Sequence, residues 1–211
     1  MRILSLLSIL FLLACQEPQS TEDTPPVAGQ PEVLPEMDTI VEAANPHQEF
    51  LDFYLVFTKA FANWNADDHP LNDFFHPVHG VYVIYSTGAM PQIQRFMSPK
   101  EWEQNDVVFG ILNTTCAELN LQPVFEELPD VVCDEDTYNK SGCFSQEINL
   151  LAESGIWNYS DLNEKEKQAV EYAAESVSVT LINTSCFTLY FSKTESGFKL
   201  SFVDIRPPCT A

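Results

Sequence analysis

The densest cluster of ligand-type side chains runs from Asp67 to His79, where Asp67, Asp68, His69, Asp73, His76 and His79 crowd around Pro70 and Pro77. A His-x-x-His pair on a turn can aim two imidazoles at one metal ion, and a carboxylate can complete the set. His69, His76, His79 and Asp73 are therefore the candidate metal ligands. The same imidazoles can equally satisfy backbone groups of the turn that leads into the next strand. A second group, Asp130, Asp134, Glu135, Asp136 and Asn139, offers oxygen ligands to calcium. The EF-hand pattern fails there, because Tyr138 takes a ligand position and Asn139 the position that requires Gly. A solvated acidic loop is the simpler reading, and no cofactor is expected.

Other catalytic signatures are missing. The chain has no Gly-x-Ser-x-Gly elbow, no His-Glu-x-x-His, no phosphate-binding Gly loop and no dinucleotide fingerprint. With 7 Gly in 211 residues, few such loops are possible. Adjacent acids such as Glu126-Glu127 point apart in regular structure and make no acid–base dyad. A binding or structural role is expected ahead of an enzymatic one.

Charge narrows the partners. The sequence carries 10 Lys and Arg against 31 Asp and Glu, a formal net charge of −21. Phosphate backbones are bound through Lys and Arg, so this balance excludes nucleic acid as a partner. It equally disfavours electrostatic attachment to anionic lipid.

The first fifteen residues suggest another route to a membrane. Arg2 is followed by an apolar run from Ile3 to Leu13 and then by Ala14-Cys15. About eleven apolar residues are too few for a bilayer core that takes roughly 20. A basic start and a short apolar stretch ending in a small residue read as a cleaved signal peptide. Leu12-Leu13-Ala14-Cys15 resembles the lipobox of bacterial lipoproteins, although Leu13 stands where that family favours Ala, Ser, Val or Thr. The resemblance implies removal of residues 1–14 and lipidation of Cys15, and two or three acyl chains anchor stably where one does not. Losing Arg2 leaves nine basic residues against 31 acidic ones, a charge of −22. Gln16 stands where Asp would resemble an inner-membrane retention signal, so a lipid-anchored protein of the bacterial cell envelope, in the outer membrane rather than the inner, is implied. Glu17, Glu22 and Asp23 resemble surface-export signals of Bacteroidota lipoproteins, and Asp38-Thr39-Ile40 resembles their O-glycosylation acceptor, with Thr39 as the modified residue.

Three regions follow: residues 1–14 as signal peptide, 15–46 as a lipidated Cys and a Pro- and acid-rich disordered tether, and 47–211 as one domain. Six prolines between Pro18 and Pro46, among acidic side chains, cannot build a core. With 45% apolar residues and 15 Phe, the rest can. Phe50, Phe53, Tyr54, Phe57, Phe61 and Trp64 recur at helical spacing and predict a long amphipathic helix over 47–64. A single helical turn is expected at 71–75, then strands at 80–85 and 92–96. Ser98-Pro99-Lys100-Glu101 reads as a capped start of a short helix. Residues 107–112 read as a strand, 113–158 as a long loop pinned by cysteines, and 160–176 as a second helix capped by Ser160. Alternation predicts strands near 177–181, 187–191 and 198–202, with Phe198, Leu200 and Phe202 on one face.

The fold class is therefore α+β: a long N-terminal amphipathic helix and a second helix packed on an antiparallel sheet with a C-terminal meander, one face buried and one partly wet. This element order resembles nuclear-transport-factor-like and cystatin-like folds, in which a cone between helix and sheet often holds a small ligand. That resemblance implies two alternatives. The domain is a non-catalytic module for an envelope protein or small ligand, or a small-molecule binder or enzyme using a pocket between the first helix and the sheet.

Cys15 aside, five cysteines remain, and an oxidising envelope favours disulfides. Pairing of the last two strands sets Cys186 opposite the region past Ile205, so Cys186–Cys209 is the expected bridge. Cys133–Cys143 would then staple the long loop and Cys116 would stay free. The rival pairing joins Cys116 to Cys186 and leaves Cys209 free.

Overall fold

The chain opens its folded part with helix α1, Gln48–Ala62, which buries Phe50, Tyr54, Phe57 and Phe61 on one stripe. Glu49 sits in its first turn and Lys59 in its last, both favourable to the helix dipole. The helix stops two residues short of the expected end, where Asn63 Nδ2 turns back to donate to the Lys59 carbonyl at 2.8 Å. The computed structural model describes residues 45–114, 121–133 and 137–209. Cys15, Thr39, Cys116 and nearly all of the expected tether lie outside them.

After a 3-10 turn at Pro70–Phe74, strands β1 (Val81–Ser86) and β2 (Pro91–Phe96) form an antiparallel hairpin. A second 3-10 turn, Pro99–Gln104, and helix α2, Asp106–Thr114, come next. Strands β3 (Val124–Phe125) and β4 (Cys143–Gln146) precede helix α3, Leu150–Ser154, and a 3-10 turn at Ile156–Tyr159. Helix α4 (Glu164–Glu175) leads into β5 (Val177–Asn183), β6 (Thr188–Thr194) and β7 (Gly197–Asp204). The α+β class stands, with a C-terminal antiparallel meander.

The sheet is mixed, which corrects the antiparallel expectation. Its seven strands run in the order β2-β1-β7-β6-β5-β4-β3, with β1 parallel to β7 and β3 parallel to β4. Both faces are covered. On one, α1 packs Phe50, Tyr54 and Phe57 against a cluster that includes Leu181, Leu189, Phe191, Leu200 and Val203. On the other, Val170, Ala173 and Ala174 of α4, with Leu151 and Trp157, meet Tyr82, Ile84, Tyr190 and Phe202. Val81 to Ile84 are accordingly buried without alternation, as strands covered on both sides are. The expected half-wet sheet is overturned by that second helical layer.

Two bulges explain where alternation misleads. Tyr190 pairs with Phe202 but Phe191 with Leu200, so Ser201 is an extra residue on β7. Phe202 therefore leaves the face of Phe198 and Leu200 and stacks on Tyr82, with centroids 5.1 Å apart. A second shift between Val177 and Val179 sends those two valines to opposite faces.

Local expectations are corrected at three capping sites. Residues 107–112 are helical because Asn105 Oδ1 accepts from the amides of Val107 and Val108, both at 3.1 Å, leaving Val108 and Leu112 as the buried i, i+4 pair. Ser98 makes no capping bond; Glu101 reaches the Met97 amide instead, at 2.7 Å. Ser160 donates to the Trp157 carbonyl, and Asn163 caps α4 in a full capping box with Glu166.

The disulfide expectations are also overturned. Cys133 bridges Cys209, with Cα atoms 5.4 Å apart. Cys186 is disulfide-bonded, but not to Cys209. Cys143 is a buried free thiol. Cys133 and Cys143 cannot pair because Cys143 begins β4 and joins the α1-side cluster, while Cys133 is on the surface. Register places Thr188 opposite Asp204, so Pro207-Pro208 carries Cys209 past Cys186 to the 131–138 segment.

Candidate functional site

The expected histidine centre is a structural corner. His76 Nδ1 accepts from the amides of Val78 (3.3 Å) and His79 (3.1 Å), and its ring stacks on His79 with centroids 4.4 Å apart. Arg95 clamps the same turn, donating to the carbonyls of His79 and Val78 at 2.6 and 2.8 Å. Burial, then neighbouring positive charge, holds both imidazoles below the ordinary histidine pKa; His79 and Lys199 act on His76, and Arg95 acts on His79. Lys199 Nζ donates to the Asp73 carbonyl rather than to its carboxylate. Among the described residues no group of three or more His, Cys, Asp or Glu side chains could hold a metal ion. His69, His76, His79 and Asp73 are thus not brought together as ligands: His76 Nδ1 already holds the backbone, and the Nδ1 of His69 is buried with no hydrogen-bond partner among the described residues. Asp130 and Asn139 likewise bond to each other, closing their own loop.

The space between α1 and the sheet is filled. Phe50 meets Phe191 and Phe198 edge-on at 5.4 and 5.1 Å, and Phe57 meets Phe191 at 5.2 Å. What remains at its margin is a surface groove of about 380 Å³ over Phe53, Phe74 and Phe198.

A cavity of about 420 Å³ lies instead on the opposite face, at the end of β5, β6 and β7 beyond the cover of α4. That volume lies in the range of small-ligand sites. Besides Ser86 and Pro91 at the β1–β2 turn and Leu150 of α3, three pieces of chain build it. The strand ends contribute Ile182, Thr188, Tyr190 and Asp204; the segment following β7 contributes Arg206 to Pro208; and Val131, Thr137 and Tyr138 form the facing wall. The Cys133–Cys209 bridge ties the second piece to the third.

Its polar groups are ordered. Asp204 and Arg206 lie two residues apart on extended chain and so share a side. Arg206 Nε donates to Asp204 Oδ1 at 2.9 Å, Nη2 to Oδ2 at 2.6 Å, and the Arg206 amide to Oδ1 at 3.1 Å. Such a bidentate pair is geometrically specific and leaves no net charge. Burial raises the Tyr138 and Tyr190 pKa values, and the Asp204 carboxylate adds to it; a hydrogen bond to Thr188 partly offsets the rise at Tyr138. Both phenols therefore remain neutral donors. Tyr190 is 6% exposed, and its hydroxyl bonds to no described residue although it faces the cavity.

Tyr190 falls within the strand expected near 187–191, whose alternation alone does not mark it as a cavity group. Asp204, Arg206 and Tyr138 carried weak signals, the best being opposite charges two residues apart just before Pro207-Pro208. Compared with protein-family models, curated proteins and solved structures, the chain matches none.

Proposed function

We propose that this chain is a lipid-anchored protein of the bacterial cell envelope whose domain binds a small ligand without transforming it. The carrying observation is the cavity at the ends of β5–β7, lined by hydroxyls and a self-neutralised ion pair. Among the described residues its lining includes no histidine, and the cysteine there, Cys186, is disulfide-bonded. The anchor rests on Leu12-Leu13-Ala14-Cys15. No described helix is long and apolar enough to cross a membrane. The alternative, a binder or enzyme using a pocket between α1 and the sheet, is weakened by the aromatic packing that occupies that interior.

Two measurements on the full chain test this. Cys15→Ser moves the protein from the detergent phase to the aqueous phase of a detergent partition; retention in the detergent phase refutes the anchor. Native mass spectrometry against a small-molecule envelope extract finds a bound species that Ser86→Trp, which fills the cavity, abolishes. Equal binding by both proteins refutes the site.

A further inference from the structure

Resting on the binding role just proposed, we infer that the cavity takes a neutral, polyhydroxylated ligand of the saccharide class, contacted by Tyr190 and the Asp204–Arg206 pair. Charge sets the first constraint. Asp204 uses both carboxylate oxygens on Arg206, and Arg206 returns Nε and Nη2 to it. An ionic ligand of either sign would meet a like charge beside each opposite one, and would add an uncompensated charge to a pair already neutral in a partly buried place. A chain with formal charge −21 adds a further penalty for anions.

Hydroxyl groups meet none of these obstacles. They donate to carboxylate lone pairs and accept from the guanidinium and phenol at the same time. Tyr190 supplies the decisive group: the hydroxyl of a residue only 6% exposed, lining the cavity and with no hydrogen bond to a described residue. Its packed ring holds that donor at the cavity surface, available to a ligand that enters. Tyr138 adds a second phenol beside Thr188. Ile182, Leu150 and Pro207 supply apolar surface between these donors. A pyranose has the matching make-up, hydroxyls around its edge and a C–H face that packs on apolar surface. A purely apolar ligand would leave the Tyr190 hydroxyl unmet.

The test is saturation-transfer NMR on the intact protein with glucose, galactose, mannose, N-acetylglucosamine and maltose, alongside glucuronate and glucosamine as charged counterparts. At least one neutral saccharide binds saturably, and its charged counterpart binds at least about tenfold more weakly. Tyr190→Phe weakens that saccharide about fivefold to tenfold, the worth of one neutral hydrogen bond, without lowering the melting temperature. Equal or tighter binding of the charged counterparts overturns the inference, as does an unchanged affinity in Tyr190→Phe. If no saccharide binds while the Ser86→Trp comparison still shows a cavity ligand, the saccharide class is wrong and the binding role stands. If neither experiment shows a ligand, the binding role falls with it.

Discussion

Replacing Cys133 and Cys209 together by Ser removes a covalent link between residues 76 apart in sequence. Chain entropy assigns about 4.5 kcal/mol to closing a loop of that length in the unfolded state. Two effects trim the figure. The disulfide at Cys186 lies between these positions and can shorten the path through the unfolded chain. Cys133 also sits at φ 55°, a left-handed conformation that costs a non-Gly residue about 1–2 kcal/mol and that the freed segment can relax. A net loss of about 3 kcal/mol is therefore expected. At about 2–4 °C per kcal/mol for a domain of this size, the melting temperature falls by about 10 °C. Thermal unfolding followed by far-UV circular dichroism measures it, with the wild type in buffer free of reductant. A fall of less than about 3 °C would show that the 131–138 wall holds to the segment after β7 by non-covalent contacts, and the entropy reasoning would be refuted.

Three further outcomes are expected. His76 accepts two backbone amides through Nδ1 and has a folded pKa below its unfolded value near 6.5, so its stabilisation is complete above that pH and is lost as pH falls below it toward the depressed folded value. Thermal melts from pH 7.5 to 5 show the decline, and His76→Asn, whose Oδ1 can replace the accepting nitrogen, flattens it. Cys143 has its thiol pKa pushed by burial up to about 11, so it resists iodoacetamide at pH 8 in the native protein and reacts on denaturation; native labelling at the rate of a free thiol contradicts this. Gly80 lies at φ 67° with the place of a Cβ only 2.2 Å from the Phe96 carbonyl oxygen, so Gly80→Ala costs at least about 2 kcal/mol in denaturant unfolding, while Gly88→Ala, with open space around it, changes little.

How much of this was legible depends on the distance over which each signal acts. The α1 stripe, the β1–β2 hairpin and the final meander follow from spacing between near neighbours, and all three formed. The strand expected at 107–112 failed because Val107, Val108, Ile111 and Leu112 suit either period, and Asn105-Asp106, a helix start, was the deciding signal. Phe202 was placed on the wrong face because one extra residue, Ser201, inverts the alternation beyond it. The disulfides failed because register fixes where Cys186 lies but not where Pro207-Pro208 sends the chain. The histidine cluster was visible, yet its role turned on a single acceptor bond that no spacing announces. The cavity was hardest to see, since it joins residues from near 86, 131–138, 182–190 and 204–208, and only the Asp204-x-Arg206 pair is local.

The position of Tyr190 decides whether the cavity is prepared for a ligand or merely left over. Its ring belongs to the core of the second face, edge-on to Phe202 with centroids 6.4 Å apart, while its hydroxyl stands among Asp204, Arg206 and Tyr138. The packing that fixes the ring also fixes the donor, so a ligand need not bear the cost of ordering it. A leftover hollow would show no such division of one side chain between core and cavity. The two parts can be separated experimentally. Removing the hydroxyl alone, in Tyr190→Phe, preserves the ring contacts and should change binding without changing stability. Removing the ring, in Tyr190→Ala, opens the core and should cost about 3–5 kcal/mol, as large aromatic truncations do. If Tyr190→Phe destabilises the protein as well, the hydroxyl has a structural partner, and the cavity is not held open for a ligand.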